Sequence, residues 1–268
     1  MATRSKEEII ADVERWAKER LANNEEVVYI DDRVSSIGFR KEEIKNTVMT
    51  TKKLNAVSDE TRSPKPETRM TSSGEWQNTT DLLTLQSMIS GCTKCELHKT
   101  RKNFVFGVGN HNAKVMVIGE APGADEDEQG EPFVGRAGQL LNKMLLAIHF
   151  PREEVFIANI LKSRPPGNRD PKPEEVAACE PYLWKQIELI GPKMILCVGR
   201  IAGTNLLKLE GESLAKMRGK VFDFMNAKVM VTYHPAALLR NPNWKTGAWE
   251  DLQQFRKLYD EITSDETH

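Results

Sequence analysis

The stretch KVMVIGE at residues 114–120 decides the fold: four apolar side chains in a run, closed by a glycine and an acid. A short continuous apolar run bounded by a turn signal reads as a strand buried on both faces. Three more runs share its form: VFIANIL at 155–161, KMILCVG at 193–199 and KVMVTYH at 228–234. Between and after them lie helical patterns at 137–148, 173–190, 200–209 and 244–262. Fully apolar strands alternating with helices predict an α/β fold. Specifically, a central, mainly parallel four-stranded sheet lies between two helical layers in a three-layer α/β/α sandwich. In such sheets the ligand site lies beyond the C-terminal ends of the strands.

Upstream the text changes character. Residues 5–22 place Ile9, Ile10, Val13, Trp16, Ala17 and Leu21 on one helical face, so residues 1–50 are expected to be a helical extension. Residues 51–81 are rich in Ser, Thr, Lys, Glu and Pro, with few apolar side chains to offset the entropy of ordering, and read as a flexible linker. The sandwich domain is expected over 82–264. No internal repeat is visible.

The chain has 268 residues, 38 Lys+Arg and 39 Asp+Glu, for a net charge of −1. That balance excludes a globally basic, histone-like nucleic-acid binder and leaves room for local basic patches. No stretch approaches the roughly 18–20 apolar residues that span a bilayer, so no membrane role is expected. The opening residues are too charged for the apolar core of a secretory signal. The expectation is a cytoplasmic protein whose four cysteines are free, catalytic or metal-bound.

Four loops follow the four strands. The first, Gly119-Glu120-Ala121-Pro122-Gly123, runs into the acids Asp125–Glu128 and then Phe133-Val134-Gly135-Arg136-Ala137-Gly138. Its glycines allow close backbone approach to a ligand. The spacing fits neither a dinucleotide fingerprint nor a P-loop, and the acids would repel phosphate, which disfavours a nucleotide enzyme. After the second strand, Asn159 offers a donor and an acceptor suited to a base edge. Behind it Lys162, Arg164 and Arg169 form a proline-stiffened basic loop suited to phosphate contacts. A turn-capping Asn and a solvated loop are the bland alternatives. After the fourth strand comes Tyr233-His234-Pro235-Ala236-Ala237-Leu238-Leu239-Arg240. A histidine there can donate to developing negative charge, and one of the two leucines can wedge into a base stack. Any one of these elements alone is more often core packing.

Cys92-Thr93-Lys94-Cys95 is followed by Cys179 and Cys197. Four thiolates suit zinc or a [4Fe–4S] cluster, and spacing does not separate the two. A redox Cys-x-x-Cys, or buried spectators at Cys179 and Cys197, are the other readings.

Taken together, GEAPGADEDEQGEPFVGRAGQLL, NILKSRPPGNRDP, YHPAALLR and the four cysteines resemble one family closely. The chain is similar to family 4 uracil-DNA glycosylases, the iron–sulfur-containing bacterial and archaeal branch, over about residues 84–262. The resemblance implies a DNA repair enzyme that flips uracil from single- or double-stranded DNA and hydrolyses its N-glycosidic bond. It assigns Glu120, Ala121 and Gly123 to the uracil pocket and Phe133 to stacking on the base. Asn159 reads the uracil edge, His234 stabilises the leaving anion, and Leu238 fills the vacated stack. Cys92, Cys95, Cys179 and Cys197 become ligands of a [4Fe–4S] cluster. Ser163 stands where many members have a further cysteine, a position read as outside the cluster.

The residue chemistry agrees with that implication. A base within a duplex must be extruded before it is cut. It then needs a stacking face, an edge reader, a hole filler and a donor to the departing pyrimidine. Other branches place an acid or Asn at Ala121 to orient water. Here that task falls to Glu120, to an acid in Asp125–Glu128, or to the backbone. DNA contacts are assigned to Lys162, Arg164, Arg169, Leu238 and Arg240. A monomer is expected, with the N-terminal extension available to a repair or replication partner. The alternative is an iron–sulfur protein that binds or traps uracil-DNA without turnover. Trapping relatives carry an added basic loop, whereas Phe133 to Gly138 runs straight into a helix.

Overall fold

The computed structural model describes residues 75–264. The N-terminal helix and the linker up to residue 74 lie outside the described residues. The four apolar runs form strands β2 (Val115–Gly119), β3 (Phe156–Asn159), β4 (Met194–Val198) and β6 (Ala227–Thr232). All four are parallel, in the order β3-β2-β4-β6. Two short edge strands complete a six-stranded sheet: β1 (Val108–Gly109) pairs antiparallel with β3, and β5 (Val221–Phe224) with β6. The sequence reading missed both. β1 is too short to carry a pattern, and β5 alternates exposed with half-buried residues rather than forming a fully apolar run.

Alternation along each strand feeds two cores, since successive side chains point to opposite faces. Met116, Ile118, Ile195, Cys197, Val229 and Val231 face one helical layer: α1 (Leu82–Ile89), α4 (Pro173–Ile190) and α5 (Arg200–Leu207). Val115, Val117, Leu196, Val198 and Met230 face the other, α3 (Arg136–Ala147) and α8 (Lys245–Ser264). Short helices α2 (Ala124–Gln129), α6 (Leu214–Met217) and α7 (Pro235–Arg240) sit in the connections. Among the described residues no helix is long and apolar enough to cross a membrane.

The domain begins earlier than the composition suggests. Glu75–Asn78 form a 3-10 turn, and Trp76 is buried edge-on against Tyr182 with ring centroids 4.8 Å apart. Asp81 then caps α1 by accepting the Thr84 N–H at 2.8 Å. Residues 75–81, read from composition as the end of the linker, therefore belong to the folded domain.

Candidate active site

Register brings the strand ends into one row. Gly119 lies opposite Asn159, and Val198 opposite Thr232. Each chain leaves the sheet there into the loop singled out above. Gly119 keeps a slot open between two neighbours. A Cβ on it would collide with Asn159 Oδ1 and lie 2.5 Å from Phe133 Cζ. Asn159 is 2% exposed, and its Oδ1 has no hydrogen-bond partner. Leaving a buried acceptor unpaired costs about 1–3 kcal/mol, which marks this oxygen as reserved for a donor that arrives from outside.

Phe133 faces the same slot from a strained backbone. Its φ of 54° is left-handed, a region that a bulky residue enters only when held there. Two residues do the holding. Arg152 donates to the carbonyls of Phe133 at 3.3 Å and Pro132 at 2.7 Å, and to Asn142 Oδ1 at 3.0 Å. Glu126 accepts the N–H groups of Val134 at 3.0 Å and Gly135 at 3.1 Å on one oxygen, and that of Gly123 at 3.0 Å on the other. One carboxylate thus ties the glycine-rich loop to the Phe133 loop. The sequence reading placed Glu126 among undifferentiated acids and did not single out Arg152. The Gly123-x-x-Glu126 spacing of a helix cap was the available signal for the former, and none existed for the latter.

His234 caps α7. Its Nδ1 accepts the Ala236 N–H at 3.1 Å, which leaves the ring proton on Nε2. Burial, with a smaller push from the Arg240 charge, lowers the imidazole to about 4, so the ring is neutral at physiological pH. Its ring centroid lies 5.7 Å from that of Phe133. Gly199, at φ 99°, makes room behind it: a Cβ there would sit 3.1 Å from His234 Cβ. The strand end that presents it is anchored by Asp251, which accepts from Thr232 Oγ1 at 2.7 Å and from Arg218 Nε at 2.7 Å. Arg218 also donates to Tyr233 Oη at 2.9 Å.

Glu120 follows Gly119 and is half-buried. Desolvation, reinforced by the charge of Asp170 and opposed by Arg200, raises its carboxyl to about 7. Three of the neighbouring acids are committed elsewhere, and Asp125 is exposed. Glu126 holds backbone, Asp127 accepts the Lys102 N–H at 2.9 Å, and Glu128 pairs with Lys102.

Two expected DNA contacts are corrected by burial. Lys162 is fully buried, donating to Asn159 O at 3.0 Å and Gln186 Oε1 at 2.6 Å. It braces the strand end under Asn159 and cannot reach a phosphate. Leu238 is 2% exposed in the core between α7 and α3, while its neighbour Leu239 is 46% exposed. Successive helical residues point about 100° apart, so the helix phase presents the second leucine. Arg169 is largely engaged in a two-pronged ion pair with Glu175. Arg164 bonds Asn168 Oδ1 at 2.7 Å, and Arg240 is exposed.

The cysteines do not converge as a set of four. Cys179 hydrogen-bonds Cys95, pulling the Cys95 thiol down to about 6, while the same bond and burial push Cys179 up. Tyr182 Oη donates to Cys92 Sγ at 3.3 Å, and burial first, then that bond and the charges of the three thiols, raise the phenol above its ordinary range. Cys197 stands apart: it is fully buried in β4, and burial is the one influence on its thiol. The expected fourth ligand is therefore not placed with the other three. Among the described residues no three His, Cys, Asp or Glu side chains close tightly enough to hold a single metal ion, so the zinc alternative has no ready site.

The family model of the Uracil DNA glycosylase superfamily matches residues 106–253. The chain is 48% identical over 177 residues to the type-4 uracil-DNA glycosylase of Archaeoglobus fulgidus, covering 63% of this chain and 89% of that protein. It is 47% identical over 182 residues to the type-4 enzyme of Pyrobaculum aerophilum, covering 65% and 93%. To the type-4 enzyme of Thermotoga maritima it is 45% identical over 154 residues, covering 57% and 80%.

Proposed function

The chain belongs to the uracil DNA glycosylase superfamily, and we propose that its strand-end slot takes an extruded uracil from DNA and hydrolyses the bond to deoxyribose. The observation that carries this is the orphaned Asn159 Oδ1, buried beside Gly119 and facing the same slot as Phe133. Uracil carries a hydrogen on N3 that this oxygen accepts. Cytosine has a lone pair there and would leave two acceptors facing each other. Discrimination by an unpaired buried polar group is stronger than discrimination by size.

Phe133 supplies the stacking face. As the N-glycosidic bond breaks, its electrons move onto the pyrimidine and positive charge grows on the sugar. His234 donates Nε2–H to a pyrimidine oxygen, a bond that strengthens as the charge develops. The neutral ring suits this task, since it donates without giving up a proton to the anion. Glu120 positions the water that attacks the sugar carbon and takes its proton. Among the acids of this loop Glu120 is the half-buried one not spent on backbone or lysine. The products are free uracil and an abasic site.

On the DNA side, exposed Leu239 enters the vacated stack, and Arg164 and Arg240 meet phosphates. An iron–sulfur cluster fits the thiol patch in part. Cys92 Sγ already receives the Lys94 N–H at 3.4 Å and the Tyr182 hydroxyl, donors that stabilise a thiolate. When bound, a [4Fe–4S] cluster supplies a covalent tie between the Cys92–Cys95 segment and α4, and its binding energy becomes folding energy.

Incubation with single- and double-stranded oligonucleotides carrying one uracil tests the reading. Catalytic release of uracil and an alkali-labile abasic site is expected. A stable complex without free uracil would favour binding or trapping without turnover.

A further inference from the structure

The inference concerns which atoms hold the cluster, and it rests on the cluster reading above. Cys95 and Cys179 bond each other, Cys92 accepts the Tyr182 hydroxyl at 3.3 Å, all three thiols act on that one phenol, and Cys197 does not join them. A four-iron cube needs one donor per iron, so a fourth donor must come from the residues around the three thiols. Ser163 is there. It is 1% exposed, and the backbone N–H of its neighbour Lys162 bonds the Cys179 sulfur. Its Oγ accepts from Arg101 Nη1 at 3.2 Å, and the charge of that same arginine acts on Cys95.

We propose that Cys92, Cys95 and Cys179 hold three irons of the cluster, that Ser163 Oγ stands at the fourth, and that Cys197 takes no part. Ser163 binds as the alkoxide, its proton going to buffer as metal binding requires. The Arg101 guanidinium donates to that oxygen, and a charge-assisted bond favours its anionic form. Cys197 is instead a small apolar filler of β4, packed among Ile118, Ile195 and Val231. An oxygen ligand is harder than thiolate and suits iron–sulfur chemistry less well, so the fourth iron is the most readily lost.

The test is iron and acid-labile sulfide per chain, with electron paramagnetic resonance, on anaerobically purified full-length protein. The parent should carry about four of each. Cys197→Ala, and the shape-keeping Cys197→Val, should match it. Cys179→Ala should lose the colour. Ferricyanide should take one electron from the parent cluster and expel one Fe²⁺, leaving [3Fe–4S]⁺ with its resonance signal. Ser163→Ala should already hold about three irons as purified. Ser163→Cys should keep all four through the same ferricyanide treatment. If both Cys197 variants stay folded by circular dichroism and lose the cluster, while Ser163→Ala keeps four irons, the ligand assignment is overturned and the cluster reading stands. A colourless parent without iron overturns both.

Discussion

The ring of Phe133 lies 5.7 Å from the imidazole of His234, centroid to centroid, and tilted 33° from its plane. Both come from loops outside the sheet, yet the strand row fixes their meeting. Gly119 lets Phe133 approach β2, and Gly199 lets His234 lie close over β4. The two glycines do the same work for different partners. Each replaces a side chain with a space that the catalytic group or the base then uses.

Gly119→Ala tests that space. The added methyl collides with Asn159 Oδ1 and the Phe133 ring. Overpacking of this kind costs about 1–3 kcal/mol of stability. Displacing reacting groups by an ångström costs about a hundredfold in rate. Thermal unfolding should therefore show a modest loss, and single-turnover excision a loss out of proportion to it. Parental excision by this variant would mean that the base sits elsewhere.

Glu126 should act on rate without touching substrate. Removing its carboxylate frees the N–H groups of Gly123, Val134 and Gly135 and lets the left-handed Phe133 relax. Glu126→Ala is expected to lose roughly 1–3 kcal/mol of stability and to lower kcat more than it raises KM. Glu126→Gln keeps one acceptor oxygen and should recover part of both. A variant that loses stability alone, with kcat unchanged per folded molecule, would reduce Glu126 to a structural cap.

Glu120 gives excision a pH dependence. With its carboxyl raised to about 7, the carboxylate that orients water forms as pH rises through 7, so the rate should climb across that interval. Stability should move the other way. The folded state holds a proton that the unfolded state, near 4.5, has already released, so stability falls as pH rises from 4.5 to 7. Glu120→Gln should lose excision, flatten the rate profile, and make the melting temperature less sensitive to pH across that window. His234, near 4, adds no step to the rate above pH 5. A parental profile flat from pH 5 to 8 would remove the water role from Glu120.

Leu238 and Leu239 should separate by assay. Leu239→Ala removes the exposed wedge and is expected to slow excision from duplex while sparing single strands, where no stack needs filling. Leu238→Ala empties a core position and should cost about 2–5 kcal/mol of stability. The opposite assignment of effects would restore Leu238 as the wedge.

Much of this was legible in the residues. Parallel strands buried on both faces must be apolar throughout, so the four central strands announced themselves, and the loops after them carried Glu120, Phe133, Asn159 and His234. What failed needed the third dimension. Lys162 read as a DNA contact because Lys is usually exposed. Its burial depends on Gln186, far off in sequence on α4, whose Oε1 accepts a hydrogen bond from Lys162 Nζ. Leu238 and Leu239 are chemically alike, and the phase of a six-residue helix chose between them. Four cysteines suggested four ligands. A count of residues could not show that Cys197 is fully buried in β4, where desolvation alone acts on its thiol.

The central claim is that His234 carries the chemistry and Asn159 the recognition. It is tested most directly by single-turnover uracil excision alongside equilibrium binding to uracil-DNA, for the parent, His234→Ala and Asn159→Ala. Loss of one preorganised donor costs about a hundred- to a thousandfold in rate. His234→Ala should show that loss while binding within a few-fold of the parent. Asn159→Ala should lose excision together with the preference for uracil over cytosine. If His234→Ala excises at the parental rate, or loses binding alone, the histidine only shapes the DNA-contacting loop and the account is wrong.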